Sequence, residues 1–425
     1  MPCDSRAFFL QYFHELENRG IPYVILHSYE EFPDTVSSDV DYAVRDGDLD
    51  KIPQILQEVA RRTGWVHAQT LRHQICAYYS VVIDPQNPRN HIKLDVSSHY
   101  VKDGCFLLRD GDLLGDRQPL RGFYIPASAA EFIYVLAKIF GKNKEPSNFL
   151  PRLRELYSED PQGAQTRFTK LFGADAGKVE DWFERPATEW SRLNGTMRAR
   201  NRYTPALYAR ELRRISQRGL HPAGLCIVVL GPDGAGKSTL LENLWPLTEP
   251  CFRNRRFFHF RPQLFEKKGG EVVTDPHGQS PRSLFMSLLK LCYYFADQWL
   301  GWLCLVLPSK IRSTLVIFDR NFDDMLVDQK RYRLNAPAWL LRLMSALLPK
   351  ADLVFVLDAS PEIIHARKPE LPLDELQRQR AVLRSLAARK PHAVLINAED
   401  PPDKVAATVA RAVIERVAER CKGNQ

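Results

Sequence analysis

The sequence lacks the patterns that mark a zinc site, a disulfide framework or a secreted protein. Its eight cysteines are scattered and include no Cys-x-x-Cys pair. The first twenty residues carry acidic side chains and have no continuous apolar core of the kind found in signal peptides. No low-complexity tract interrupts the chain. We therefore expect a globular protein of a reducing, cytoplasmic compartment.

An uninterrupted membrane span is also missing, although residues 284–307 come close to one. Lys290 and Asp297 divide this apolar stretch, and a spanning helix seldom contains two such charges. We interpret the stretch as a helix buried in a protein core. The alternative is an interfacial helix, which would hold the protein peripherally at the inner face of a membrane.

Length and charge set broad limits on the fold and its partners. The 425 residues exceed what one ordinary core accommodates, so they predict two or three domains. The formal net charge is +8. This excess suits anionic partners such as nucleotides, nucleic acid or acidic membrane surfaces, and does not choose among them.

The most informative stretch is GPDGAGKST, residues 231–239. It follows an apolar run rich in β-branched residues, at 225–230, and leads into a helical pattern at 240–244. A strand, a Gly-x-x-x-x-Gly-Lys-Ser turn and a helix form a phosphate-binding P-loop. The predicted nucleotide-binding residues are Gly231, Asp233, Gly234, Ala235, Gly236, Lys237, Ser238 and Thr239.

The chemistry explains why these residue types occur together. Glycines let the backbone curl so that successive N–H groups face a phosphate, and the helix adds the positive end of its dipole. Lys237 can reach the β- and γ-phosphates, and the Ser238 hydroxyl can ligate Mg²⁺.

Beyond the P-loop, apolar strands alternate with helices. The strands at 314–319, 352–358 and 393–397 predict an α/β fold, a parallel sheet covered by helices on both faces. Ligands bind beyond the carboxyl ends of such strands, where Asp319, Arg320 and Asp358 are expected. Asp319 is the predicted Mg²⁺ ligand, and Arg320 is predicted to contact a phosphate. Arg367 and Lys368, on a basic segment, could close over the γ-phosphate, although an ordinary helix end has the same composition.

The region from about 222 to 420 resembles thymidylate kinase and related nucleoside-monophosphate kinases. Its P-loop, the FDRNF stretch at 318–322 and the strand, helix and basic lid from Asp352 are similar to that family. The resemblance implies ATP and Mg²⁺ as cofactors, and catalysis by Lys237, Asp319, Arg320, Arg367 and Lys368. On the acceptor side it implies Asp233, Arg261, Gln298 and Arg331.

The acceptor side departs from the family pattern. Ala-Asp-Arg of the family is Ala-Asp-Gln here, ending at Gln298, so one cation is lost. The chain also resembles thymidylate-kinase-like proteins found beside genes for bacterial surface polysaccharides, through His259, Arg261-Pro262, residues 275–278 and residues 367–371. The expected function is an ATP-dependent phosphotransferase acting on a small-molecule, glycan or nucleotide acceptor. A genuine dTMP kinase is an alternative.

The first part of the chain carries a second acidic motif. Asp39 and Asp41 alternate along a predicted strand, and Asp95 lies on a later one. These residues resemble the minimal nucleotidyltransferase fold, an α+β architecture whose three carboxylates bind two Mg²⁺ ions. His27 stands where that family has glycine. Whether transferase activity is retained stays open, and a solvated acidic strand edge is the alternative.

Between these regions lies a helical segment with a basic end. Eight arginines fall between residues 192 and 218, against one acid, Glu211. They form either a solvated linker or a surface for nucleic acid or anionic lipid. A further alternative function is therefore a nucleotidyltransferase or a nucleic-acid- or membrane-binding module. The predicted domains are residues 1–145, a connector at 146–221, and a kinase-like domain at 222–425. The oligomeric state is not predicted.

Overall fold

The computed structural model describes residues 3–36, 38–142, 144–186, 189–190, 193, 195, 204–264 and 282–423. The 275–278 motif and four arginines of the basic segment lie outside these ranges. The chain divides into two compact units, residues 1–217 with 421–425, and residues 218–420.

The first unit has strands and helices intermingled. Its strands are β1 (Tyr23–Ile25), β2 (Val40–Val44), β3 (Val66–Gln74), β4 (Ala77–Ile83), β5 (His91–Ser97), β6 (Tyr100–Lys102), β7 (Cys105–Leu108), β8 (Gln118–Leu120) and β9 (Phe123–Ile125). Its helices are α1 (Ser5–Asn18), α2 (Ile52–Arg62), α3 (Asp110–Leu114), α4 (Ser128–Gly141), α5 (Leu150–Glu159), α6 (Pro161–Phe172), α7 (Val179–Phe183) and α8 (Pro205–Leu220).

The main sheet of this unit is mixed, with the order β1-β2-β5-β4-β3. Only β2 and β5 pair in parallel among its neighbouring strands. Side chains alternate between two cores. Tyr23 and Ile25 face α1 and α2, whereas Val24 and Leu26 pack with α4. Helices α5 to α7 bury their apolar faces in the same core as α4. The nucleotidyltransferase-like class of this unit stays a prediction.

The second unit is built on a parallel sheet. Its strands are β10 (Leu225–Leu230), β11 (Asn254–His259), β12 (Thr314–Asp319), β13 (Leu353–Asp358) and β14 (Ala393–Asn397). Its helices are α9 (Lys237–Thr248), α10 (Leu284–Gly301), followed by a π-helical turn (Trp302–Val306), α11 (Leu307–Ile311), α12 (Asp324–Val327), α13 (Ala338–Leu347), α14 (Pro361–Arg367), α15 (Leu373–Arg389) and α16 (Pro402–Gly423).

All neighbouring strands of this sheet are parallel, in the order β11-β12-β10-β13-β14. Every residue of the central strand β10 is buried, because helices flank the sheet. The predicted α/β architecture of this region is confirmed. Since all five strands run the same way, their carboxyl ends meet at one edge, next to the P-loop.

The prediction that residues 284–307 form a helix buried in a protein core is wrong, because much of the helix is exposed. Helix α10 turns a polar or small set of residues inward, including Ser287, Asp297 and Gly301. Leu291 is also buried, but other large side chains of the helix face outward, with Phe285 74% and Leu289 57% exposed. Asp297 is buried because its carboxylate accepts hydrogen bonds from the loop that follows β11. No helix in the described ranges is long and apolar enough to cross a bilayer.

Candidate active site

The P-loop connects β10 to α9 through two glycines in the left-handed region. Gly234 and Gly236 have φ angles of +89° and +91°. At Gly234 a Cβ atom would also lie 3.0 Å from the carbonyl oxygen of Ile364 and 3.1 Å from Cβ of Lys368. Gly236 precedes the first residue of α9. The loop thus directs the unpaired N–H groups of the helix start toward the cavity beside it.

Lys237 lies at the first position of α9 and is nearly buried. Its ammonium donates hydrogen bonds to the carbonyl oxygens of Gly231, at 2.8 Å, and Pro232, at 2.9 Å. Burial, together with the positive charge of Arg320, lowers the pKa of Lys237 to about 8. The ammonium is therefore held close to the loop, and a polyanion in the cavity would favour its charged form.

Asp319 ends β12 with one of its carboxylate oxygens unsatisfied. Oδ2 lies 3.1 Å from Nδ1 of His259, whereas Oδ1 is buried and has no hydrogen-bond partner. Burial raises the pKa of Asp319, but the His259 hydrogen bond and nearby cations outweigh it, so the pKa falls below its usual value. An ionised, buried oxygen without a partner is suited to a hard divalent cation. Ser238 is exposed in the same cavity and could supply a second oxygen ligand.

Arg320 follows in a left-handed conformation, with φ of +68°. This turn brings its guanidinium into contact with the P-loop carboxylate of Asp233, and its Nε to 3.4 Å from Asp324. Arg331 binds the other oxygen of Asp233 at 2.6 Å. Burial raises the pKa of Asp233, but the charges of Arg320, Lys237 and Arg331 hold it well below the usual range. Left-handed backbone is uncommon for a residue with a side chain, and Arg121 and Arg333 also adopt it.

These groups line a cavity of about 620 Å³, a size suited to a nucleotide. Arg367 and Lys368 contribute to its wall; Arg367 donates to the carbonyl of Ala398 at 3.1 Å, and Lys368 pairs with Glu370 at 3.1 Å. The predicted residues brought together here are Asp233, Gly234, Ala235, Gly236, Lys237, Ser238, Thr239, Asp319, Arg320, Arg367 and Lys368.

Several lining residues were missed from the sequence. His259 ends β11 beside Asp319, and Ala398, Asp400, Pro402 and Val405 follow β14. The signal that could have found them is position: each lies at or beyond the carboxyl end of a parallel strand. His259 belongs to a stretch that resembles a known family, although no role was predicted for it, and the other residues belong to no recognised motif.

Asp358 was expected at the carboxyl edge of the sheet, where ligands bind, but two arginines form ion pairs with its carboxylate. Arg380 approaches Oδ1 at 2.7 Å and Arg384 approaches Oδ2 at 2.6 Å, both from α15. The hydrogen bonds from Arg380 and Arg384 lower its pKa to about 2. It does not line the P-loop cavity, because its side chain fastens α15 to the sheet.

The predicted acceptor residues Arg261, Gln298 and Arg331 do not line the P-loop cavity either. Arg261 is 5% exposed and pairs with the fully buried Asp297 at 2.9 Å. Asp297 also accepts the backbone N–H groups of Gln263 and Leu264, at 3.1 and 2.8 Å. This carboxylate therefore fixes the loop after β11. The Gln298 side chain lies nearby, 3.4 Å from the carbonyl of Phe260.

The acids of the first unit have different surroundings. Asp41 and Asp95 lie opposite each other on β2 and β5, whereas Asp39 precedes β2. His27 Nε2 lies 2.5 Å from Asp41, and His73 Nε2 lies 3.7 Å from Asp95. Among the described residues, no three His, Cys, Asp or Glu side chains come close enough to hold one metal ion. Metal binding by these three aspartates stays a prediction.

Comparisons with known proteins point to the P-loop. The chain is similar to thymidylate kinases from three strains of Xanthomonas campestris pv. campestris, each 27% identical over 211 residues. The alignment covers 48% of this chain and 88% of each relative. No family model matches the chain. With the parallel sheet and the loop geometry, this similarity supports a P-loop kinase-like region, covering part of the chain.

Proposed function

We propose that the second unit transfers the γ-phosphoryl group of ATP to a small-molecule or glycan acceptor other than dTMP. The observation that carries the proposal is that one cavity is lined by a buried P-loop lysine, Lys237, and by a strand-end aspartate, Asp319, whose Oδ1 has no hydrogen-bond partner. A lysine at a phosphate-binding loop and a carboxylate oxygen available to a metal ion are two of the groups that proteins use in phosphoryl transfer from a nucleotide.

Each charged group then has a defined task. Ser238 and Asp319 would hold a magnesium ion, which would neutralise charge on the β- and γ-phosphates. Lys237 and the first N–H groups of α9 bind the phosphate oxygens. As the acceptor oxygen bonds to the γ-phosphorus, the bond to the β–γ bridging oxygen breaks and ADP leaves. Arg367 and Lys368 are close enough to the loop to stabilise the charge that develops.

His259 is suited to receive the proton of an acceptor hydroxyl. If Nδ1 donates to Oδ2 of Asp319, Nε2 of the same ring is the proton acceptor. The ring is 59% exposed and lines the cavity. A hydroxyl nucleophile needs such a base in the transition state more than a phosphate nucleophile does, because phosphate is already ionised near neutral pH.

The acceptor side supports a substrate other than dTMP. Arg261 has its charge compensated by Asp297, and Arg331 is bound to Asp233. Gln298 stands in place of the arginine that the resemblance leads one to expect, and an amide does not replace a bidentate guanidinium. The cations that would grip an acceptor phosphate are therefore engaged or absent at these positions.

The test is phosphoryl transfer from γ-labelled ATP to a panel of sugars, glycolipids and nucleotides. We expect labelled product with at least one non-nucleotide acceptor, and a loss of turnover of about 10²–10³-fold in Lys237→Ala. Lys178→Ala, an exposed lysine of the first unit, is the matched control. ATP binding and turnover unchanged in Lys237→Ala would refute the proposal.

A genuine dTMP kinase is the second candidate, favoured by the names of the similar proteins. It requires dTDP formation at a rate comparable with that of the best other acceptor. Under the first proposal, dTMP is a poor acceptor and Gln298→Arg improves it by about tenfold, because a charge-assisted contact is added. Rapid dTMP turnover in the unaltered chain would instead establish the second candidate.

We also propose that α8 contacts an anionic membrane surface. Tyr208, Leu212 and Ile215 share one face of this helix and are 52%, 68% and 50% exposed, and Arg210 and Arg213 are exposed beside them. Exposed apolar groups flanked by arginines favour a lipid interface over a nucleic-acid backbone. We expect the protein to float with vesicles that contain phosphatidylserine, and we expect Leu212→Glu to abolish this flotation. Salt-dependent binding to DNA or RNA without flotation would instead favour a nucleic-acid partner.

A further inference from the structure

A second cavity, of about 800 Å³, lies within the second unit. Its floor is the apolar face of the sheet, with Val228, Phe318 and Val354 contributing. Helices α13 and α15 form its walls, and Trp302 closes one side. It shares no lining residue with the P-loop cavity. An apolar void of this size exposes surface that a ligand would remove from water.

The mouth of this cavity is positively charged. Arg342, Lys350 and Arg389 are exposed on its rim and form no ion pair with any residue in the described ranges. The other charged lining residues are compensated: Lys390 pairs with the buried Asp323, and Arg378 pairs with Glu375 at 2.6 Å. Three uncompensated cations therefore surround an apolar interior.

We propose that this cavity binds a single-chain anionic amphiphile, such as a long-chain carboxylate or alkyl phosphate. The hydrocarbon chain would lie against Val228 and Phe318, and the anionic head would lie between Arg342, Lys350 and Arg389. An uncharged hydrocarbon would leave the three cations of the rim without a compensating negative charge. A second copy of this chain is a poor occupant, because it too carries a net charge of +8.

The proposal predicts a dependence of affinity on chain length. Calorimetric titration of the full chain with C8, C10, C12 and C14 carboxylates, each kept monomeric, measures it. Each added methylene should tighten binding about fourfold, as its transfer from water predicts, until the cavity is filled. Alkyl phosphates of equal length should bind comparably, whereas the matching alkanols should bind at least about tenfold more weakly.

Two kinds of variant separate the head from the tail. Arg342→Glu with Arg389→Glu should weaken carboxylate binding at least about tenfold and leave alkanol binding unchanged, because only the rim charge is altered. Ala381→Trp, in the α15 wall, should weaken both ligands by occupying the cavity. Arg411→Glu is the control for charge, since this exposed arginine of α16 does not line the cavity.

The outcomes that overturn the proposal are distinct from those that overturn the kinase assignment. The titrations contain no nucleotide, so Lys237→Ala should bind the amphiphiles as the unaltered chain does. No binding at any chain length, or equal binding by the double rim variant, would overturn it. So would binding to vesicles bearing the same head groups without binding to the monomers, because that result describes a surface contact and not an enclosed chain.

Discussion

Each unit presents an aspartate beside a histidine on a strand, and the two arrangements differ in what remains available. In the second unit, His259 engages Oδ2 of Asp319 at 3.1 Å and leaves Oδ1 buried without a partner. In the first unit, His27 lies 2.5 Å from Asp41, and Lys138 on α4 is close enough for its charge to interact with that carboxylate. The His259–Asp319 pair stands next to the phosphate-binding loop of its own unit.

The difference teaches that a carboxylate motif is informative only with its neighbours. Asp319 retains an oxygen because its other neighbours, Lys237 and Arg320, are oriented toward the P-loop and Asp233. The carboxylate of Asp41 interacts with His27 and Lys138 of its own unit. A buried carboxylate oxygen without a hydrogen-bond partner is costly, so Oδ1 of Asp319 points to a ligand, whereas a carboxylate that the protein satisfies is explained by the fold alone.

The largest expected effect tests the comparison directly. Asp319→Asn should lower phosphoryl transfer about 10²–10³-fold, because the amide is a poor replacement for the carboxylate that would hold the magnesium ion. Asp41→Asn, the matched change in the first unit, should alter transfer less than about twofold. Rates with γ-labelled ATP over a magnesium titration measure both. Equal losses in the two variants would show that the first unit shares in the same reaction.

A second variant pair compares an open carboxylate with a fully satisfied one in the same sheet. Asp352 precedes β13 and binds the backbone N–H of Cys226 at 2.6 Å, Lys310 at 2.9 Å and Arg420. Asp352→Ala should lower the free energy of unfolding by about 3–5 kcal/mol, because Lys310 is left buried and unpaired. Asp319→Asn should leave the free energy of unfolding unchanged or raise it, because Oδ1 of Asp319 has no hydrogen-bond partner to lose. Urea denaturation followed by circular dichroism distinguishes these outcomes, and similar losses would contradict the distinction.

Replacing His27 tests whether the histidine keeps Asp41 from binding a metal ion. His27→Gly takes away the partner of Asp41 and restores the glycine of the nucleotidyltransferase pattern. We expect Mn²⁺ to bind this variant about tenfold more tightly than the unaltered chain, the worth of one hydrogen bond to a charged group. Electron paramagnetic resonance of free Mn²⁺ measures the change. An unchanged affinity would mean that the geometry of Asp39, Asp41 and Asp95, and not the histidine, limits metal binding.

The sequence was a good guide where backbone geometry follows from local residues. The P-loop, β10, β12, β13 and β14 could be predicted because glycine spacing and apolar runs report local structure. It was a poor guide where partners come from distant segments. Tertiary contacts decide that Asp358 is bound by Arg380 and Arg384. They also decide that Asp297, which accepts hydrogen bonds from the loop after β11, lies on the inner side of α10. Strand β3, Val66–Gln74, was missed because its polar residues hide the alternation.

The smallest expected effect concerns a proton. Because the pKa of Lys237 is about 8 without ligand, roughly half of the molecules carry a neutral lysine at that pH. Nucleotide phosphates favour the ammonium form, so binding raises this pKa and takes up about half a proton at pH 8, more at pH 9 and little at pH 7. Calorimetry in buffers of different ionisation enthalpy measures the uptake, and Lys237→Arg, always charged, removes the contribution of the lysine. The same uptake in both proteins would show that the lysine is already charged before the nucleotide arrives.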